Sequence, residues 1–379
     1  MSPANSGQSN SKGGMLAQSA IYSVSLYLCM ILGLVRGLVV AKFLGPSLYG
    51  IRNAYGILMD FHNYSHLGTL FALNREVPRM RGNDELARSQ DAISTVYWGN
   101  LVFILVVCAI LIGLSFFLRA SGSLGPDYCD MLFFAGVIMV FCRLRDYYDT
   151  KLKIEDHFHS LSKIQLASQL VGIFACIALT YYFSLRGFFS GLLLGDLVFI
   201  ALALQIESSV PPRKFDRALF VEMLQVGFPI MAAGVLLMLL ANSDKIMILS
   251  LLSKRDLGLY GIATIATSAI GAVPSAIYAV TMPKLMAKYG ATKDVYRIRN
   301  FFEEPTLIIA FLLPFLLASI FFTIHLPIVY YLTKYTDSIV VVQILSIGLY
   351  FAAVPTMAIS ICYALRKQTT IVFLTLPAV

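Results

Sequence analysis

The sequence predicts an all-α, polytopic membrane protein of two pseudo-symmetric helical lobes, and three observations lead there. Of 379 residues, 58% are hydrophobic and only 13% are charged, against about 25% charged in an ordinary soluble domain. The apolar residues gather into runs long enough to cross the roughly 30 Å hydrocarbon core as helices. One short word, Leu-Tyr-Gly-Ile, stands at 48–51 and again at 259–262, each time at a corner between two such runs. The basic excess, 29 Lys and Arg against 21 Asp and Glu, reads in so apolar a chain as the bias of cytoplasmic loops. No nucleic-acid partner is expected.

Residues 1–14, MSPANSGQSNSKGG, are polar and are expected to form a disordered cytoplasmic tail. The apolar run behind them is too long for a signal peptide and carries no small-residue cleavage site, so it reads as a retained first span. Spans are predicted at 15–41, 51–73, 93–118, 128–148, 161–183 and 187–206, which together make an N-terminal lobe, 15–206. A cytoplasmic linker follows at 207–222. The C-terminal lobe, 223–379, holds spans at 223–250, 257–282, 305–325 and 339–364 and part of a fifth from about 371, so the second lobe is expected to be cut short. Pro229, Pro274, Pro314 and Pro355 lie inside spans, where neighbouring helices can satisfy the freed carbonyls. The loops leave no room for a soluble catalytic domain.

With the N-terminus inside, the cytoplasmic loops collect 20 of the 29 Lys and Arg and the opposite loops seven, which predicts an N-in, multi-pass protein. Two cations remain, and both lie within spans: Arg36 and Lys245. Arg36 stands 13 residues before Tyr49, and Lys245 stands 15 before Tyr260. Six predicted crossings separate the two corners, so both face the same side and the halves read as a parallel repeat. Each following helix also ends in a Pro-basic pair, Pro78-Arg79 and Pro283-Lys284.

Polar residues inside spans are the candidates for function. Wound at 100° per residue, span two would place Arg52, Tyr55, His62, Asn63 and His66 on one arc, turned either to a neighbouring helix or to a wet cavity. His62 and His66 at i, i+4 lack a third ligand, so no metal site is expected. Arg36 and Lys245, at matched depth, would seat a diphosphate, although Arg36 is also placed to snorkel to the interface. Arg143 and Arg145 follow a short apolar stretch, Met131–Cys142, and would sit at the cytoplasmic mouth, as receivers of an anionic lipid head or as ordinary anchors. Asp60, Asp244 and Asp196 are the candidates for ion coupling, Asp196 being equally suited to an interhelical bond. Gly187, Gly191 and Gly195 are spaced for close helix packing. The EDHFH stretch at 155–159 reads as a solvated loop, and the six cysteines, without a CxxC pair, as small hydrophobes. No phosphate loop, nucleophile elbow or carboxylate pair is present, so neither catalytic residues nor a cofactor are expected.

The segments VVAKFLGPSLYGIRNAYGIL and LNREVPR, with the long stretch from LQVGFPIMAAG to VTMPKL, resemble the polysaccharide and O-antigen flippases of the MOP exporter superfamily, which also holds lipid II flippases and multidrug (MATE) exporters. The resemblance implies two six-helix lobes around a cavity that opens alternately to each side, with basic residues in it. It implies flipping of an undecaprenyl-diphosphate-type, oligosaccharide-bearing glycolipid across the lipid bilayer of the inner membrane, beside a polysaccharide polymerase and glycosyltransferases. The alternatives are a multidrug cation antiporter of the same superfamily and a membrane enzyme of polysaccharide assembly, which would need a large outer loop or soluble domain. Where the family usually has Asp-Leu-Gly, this chain has His66-Leu67-Gly68.

Overall fold

Helices make every regular element among residues 7–206, 211–292 and 299–354, the residues that the computed structural model describes. In order they are α1 (Gly7–His62), α2 (Thr69–Gly82), α3 (Leu86–Ser121), α4 (Pro126–Ile154), α5 (Phe158–Ile206), α6 (Arg217–Leu251), α7 (Lys254–Thr292), α8 (Asn300–Thr323), α9 (His325–Tyr331) and α10 (Ser338–Ala353), with a 3₁₀ turn at Thr333–Tyr335. Among the described residues six stretches are long and apolar enough to cross a membrane: Tyr27–His62, Leu86–Ser121, Phe158–Ile206, Arg217–Leu251, Lys254–Ile277 and Glu303–Tyr331. Large side chains such as Phe117, Phe174, Phe311 and Phe315 stand exposed along them, as lipid-facing residues must. The part of the last predicted complete span beyond Val354, and the fifth span of the C-terminal lobe, lie outside the described residues.

Two helices are bent sharply enough to count as pairs. α1 turns at Gly45, with φ 69° and ψ 170°, a conformation open to glycine. Pro46 then starts the next helix where a missing N–H costs nothing. α5 turns at Ser184 (φ 54°, ψ −131°), and its halves run back along each other. The expected glycine packing is found here. A Cβ on Gly187 would lie 1.9 Å from the Leu179 carbonyl oxygen, and one on Gly191 2.4 Å from the Cys176 backbone, while Gly195 faces Gly172. The contacts step down one half as they climb the other, which makes the rods antiparallel.

Three expectations are corrected. Residues Gly7–Gly14 are helical rather than disordered, continuing without a break into the apolar run behind them. Span two is not continuous over 51–73: α1 stops at His62, residues 63–68 form turns, and α2 starts at Thr69. Leu67 and Gly68 both have positive φ there. The third concerns the domain division. The chain forms two compact units, the first running to Leu44 and from Ile51 to Asn242, the second holding Gly45–Gly50 and running on from Ser243. The division thus falls inside α6 rather than at 207–222. The cause is packing: a Cβ on Gly227 would lie 2.0 Å from the Gly68 oxygen, Gly234 abuts the Tyr64 ring, and Leu219 and Met223 join the first unit's core.

That core is built from α2, α3, α4, α5 and the start of α6, around Leu73, Val77, Val96, Tyr147, Leu161 and Phe199. Ion pairs stitch one end of it: Arg81 holds Glu155 with two bonds of 2.6 and 3.1 Å, Arg88 reaches Glu222 at 2.7 Å, and Lys214 reaches Asp91 at 2.6 Å. The Glu155 contact raises the Arg81 pKa above its ordinary value. In the second unit α7, α8 and α10 pack on one another around Ile270, Ile309, Leu313 and Leu317.

The repeated word has a structural reason. Both corners belong to the second unit, and they cross at two glycines. A Cβ on Gly50 would lie 1.7 Å from the Lys254 oxygen, and one on Gly258 would lie 1.9 Å from the Pro46 oxygen. Each glycine rests on the carbonyl four residues before the other, a symmetric contact that admits no side chain. Tyr49 beside it is fully buried, its ring edge-on to Tyr335 at 6.2 Å. The structural partner of Gly50 is Gly258 rather than Gly261, the glycine that matches it in the word.

A candidate anion site in the first unit

A cavity of about 260 Å³ opens in the first unit between both halves of α1, α4 and both halves of α5. The fold-back at Gly45 brings Arg36 and Arg52 to the same hollow. Four positions of α1, Arg52, Tyr55, Gly56 and Met59, line it at the spacing of a single helix face. From α4 come Ile138, Cys142 and Arg145, again at four- and three-residue steps. The first half of α5 adds Ser168, Gln169 and Gly172, and the second adds Phe188, Leu192, Gly195 and Asp196.

The charges in this hollow are unequal. Arg145 Nη1 lies 2.8 Å from Asp196 Oδ1, and the Cys142 thiol donates to the other carboxylate oxygen at 3.3 Å. The Arg145 guanidinium also lies over the Phe199 ring, 5.1 Å from its centre. Cys142 and Arg145, one turn apart on α4, therefore clasp Asp196 and Phe199, one turn apart on α5. Arg52 donates to Asn53 Oδ1 at 2.9 Å and sits 5.8 Å from the centre of the Phe188 ring. Arg36 lines the hollow from the first half of α1. Among the described lining residues three guanidiniums face one carboxylate, a formal charge of +2. In a cleft with low-dielectric walls such an excess draws anions in and keeps cations out.

A family model described as polysaccharide biosynthesis protein matches residues 39–341, over most of the chain and both repeats of the word. The chain belongs to the polysaccharide biosynthesis protein family. No curated protein matches it in sequence. Among solved structures, lipid II flippase MurJ in an inward closed conformation is similar at 17% identity and a TM-score of 0.70, over 92% of this chain and 76% of that one. An inward-facing MATE multidrug resistance transporter of the MOP superfamily is similar at 16% identity and a TM-score of 0.66, over 90% and 84%. A MOP superfamily transporter from Pyrococcus furiosus, described as having a binding pocket of reversed polarity, gives 14% identity and a TM-score of 0.52, over 92% and 82%. These likenesses establish the MOP transporter fold.

In this polysaccharide biosynthesis family member the structure brings Arg36, Arg52, Arg145 and Asp196 of the expected residues into one cavity. Others it places elsewhere. His62 and His66 do not line the cavity: His62, the last residue of α1, sits against Ser65 and Arg143, and the helix that would have kept His66 in phase with Arg52 has ended there. Both are buried. The Gly68 N–H donates to His66 Nδ1 at 2.9 Å, and Thr69 Oγ1 donates to the His66 carbonyl at 2.7 Å. His66 thus closes the turn before α2, the i to i+2 bond that an aspartate makes in an Asx-turn. That accounts for His-Leu-Gly in place of Asp-Leu-Gly: the acceptor is retained and the charge is lost.

Arg143 is no mouth residue either. It is 3% exposed and donates to the His62 carbonyl at 2.8 Å and to Ser65 Oγ at 2.7 Å, so its charge is spent on securing the turn. Arg143→Met is expected to cost about 3–5 kcal/mol, as truncation within a buried charged network does. Scanning fluorimetry should show the loss while folded protein keeps its anion affinity. A stable variant that no longer binds would return Arg143 to the site.

Asp60 is half-buried and off the cavity lining. Lys245 and Asp244 belong to the second unit, where Asp244 accepts from the Tyr260 hydroxyl and from the Lys245 N–H at 2.7 Å. The site's Cys142, Ser168, Gln169 and Phe188 were missed from sequence. A usable signal existed for two of them, since Ser168 and Gln169 are polar residues deep in a predicted span. Among the described residues no cluster of His, Cys, Asp and Glu could hold a metal ion.

Proposed function

We propose that this protein flips a lipid-diphosphate-linked oligosaccharide from the cytoplasmic to the outer leaflet of the cell membrane by alternating access, with the N-terminus cytoplasmic. The observation that carries the reading is the arginine-rich cavity: Arg36, Arg52 and Arg145 outnumber Asp196 among its lining residues. A multidrug cation site would need the opposite balance. The family and the likeness to a lipid II flippase support a lipid-linked, saccharide-bearing substrate of undecaprenyl type, made and used by glycosyltransferases and a polymerase. The glycan would travel in water-filled space while the prenyl chain stays in lipid. Lys245 of the second unit is proposed as a further substrate contact outside the diphosphate seat, and Asp60 and Asp244 as sites of coupling to an ion gradient, Asp196 being held by Arg145 and Cys142. Flipping in proteoliposomes that ignores imposed proton and sodium gradients would remove the coupling.

Cys142 supplies a native probe, because its thiol lines the cavity. In a variant whose only cysteine is Cys142, anionic sulfonatoethyl methanethiosulfonate, with each rate divided by that reagent's rate on a free thiol in solution, is expected to be favoured about tenfold over the cationic trimethylammonium reagent, by local enrichment of anions. Inorganic pyrophosphate should slow the anionic reaction. If the cationic reagent is favoured after that normalisation, the cavity does not select anions and the flippase reading fails.

A further inference from the structure

Asp196 calls for its own explanation. A site built only to attract anions would omit a carboxylate, yet this one is buried at 5% exposure and tied on both oxygens, to Arg145 at 2.8 Å and to Cys142 at 3.3 Å. The neighbouring pair Arg143 and Asp146 is neutral as a whole and lines none of the cavity. The lining charge is therefore set by the three arginines and Asp196 alone among the described residues, and Asp196 lowers it from +3 to +2.

We infer that Asp196 is a specificity residue which trims the seat to the charge of a diphosphate diester. This rests on the flippase reading and deepens it. A sugar joined to a lipid through two phosphates carries one negative charge on each, two in all. A lipid joined through a single phosphate carries one, and a lipid diphosphate that has lost its sugar carries close to three, since a terminal phosphate has its second pKa near 6. At +2 the seat is neutralised by the loaded carrier. The single-phosphate carrier leaves an uncompensated guanidinium, and the spent carrier brings an excess charge next to the Asp196 carboxylate. Both mismatches leave an unbalanced charge in a cleft walled by apolar helices, and discrimination arises from that penalty rather than from an added contact. The clasp suits the role, because Phe199 and Cys142 hold the ion pair at one side of the hollow and leave Arg36 and Arg52 as the other cationic lining groups.

The test measures binding of three soluble probes to purified protein: farnesyl-diphospho-N-acetylglucosamine, farnesyl-phospho-N-acetylglucosamine and farnesyl diphosphate. The wild type is expected to prefer the first over both others by about tenfold or more, the scale of one unit charge at partly screened short range. Asp196→Asn raises the seat to +3 and should move the preference to farnesyl diphosphate. Asp196→Asn with Arg145→Gln returns the charge to +2 and should restore the wild-type order. Arg52→Gln leaves the buried pair intact, lowers the charge to +1 and should favour the single-phosphate probe, so the proposal stands or falls even if Asp196→Asn fails to fold. A purely structural Asp196 would weaken all three probes together and leave their order unchanged, and that result overturns the inference. If the wild type binds the diphosphate diester but the variants keep its order, only the charge rule is lost. If the wild type binds none of the probes but takes up an organic cation such as rhodamine, the flippase reading goes, and the charge rule with it.

Discussion

Arg36→Ala and Arg52→Ala are each expected to abolish complementation of a flippase-null strain while the variant accumulates in the membrane at the normal level. Both side chains line the cavity, one from each half of α1. A unit charge about 5 Å from a phosphate, at an effective dielectric of about 20, is worth roughly 3 kcal/mol, or about a hundredfold in affinity. Insertion should not suffer, since an arginine within a span opposes insertion by about 2.5–3.5 kcal/mol and its removal relieves that cost. Lysine at position 52 should recover part of the activity by restoring charge without the planar fork. Lys245→Ala in the same strain tests the second unit's contribution separately. Full activity in both arginine variants would show that the hollow in the first unit is not the seat.

The second large effect lies at the glycine crossing. Gly50→Ala and Gly258→Ala should each lower the unfolding midpoint in detergent by roughly 5–10 °C, an overpacking cost of about 1–3 kcal/mol or more read through the entropy of a large unit. The added methyl group meets backbone oxygen at 1.7 or 1.9 Å, and backbone cannot swing aside as a side chain can. Once one alanine has pushed the rods apart the other finds room, so the double variant should be less destabilised than the two single effects added together. Gly113→Ala is the control: nothing lies within 4 Å of its Cβ, and helix propensity makes the change neutral or mildly stabilising. Additive losses at positions 50 and 258 would mean that the two glycines do not share a contact.

Residue types and their local spacing carried much of this. Gly45-Pro46 announced the corner because one residue admits positive φ and the other starts a helix without an N–H. The Gly187, Gly191 and Gly195 ladder announced a close crossing, and Arg52 with Tyr55 announced a polar face. The same arithmetic failed at His66, beyond the last residue of α1. Helical phase is meaningful only while the helix continues, and the turn at 63–68 is held by groups distant in the chain: Arg143 bonding the His62 carbonyl and Gly227 packed on Gly68.

By itself, then, the chain determined its solvent and its punctuation: an apolar composition obliges the backbone to satisfy its hydrogen bonds within helices, and Gly, Pro and charge mark where those helices stop. Only the tertiary structure decided which charges share a cavity. Arg36, Arg52, Arg145 and Asp196 are separated by up to 160 residues, and no local rule relates them. They meet because two fold-backs, at Gly45 and Ser184, return α1 and α5 alongside α4, and an electrostatic site is a property of distances through space.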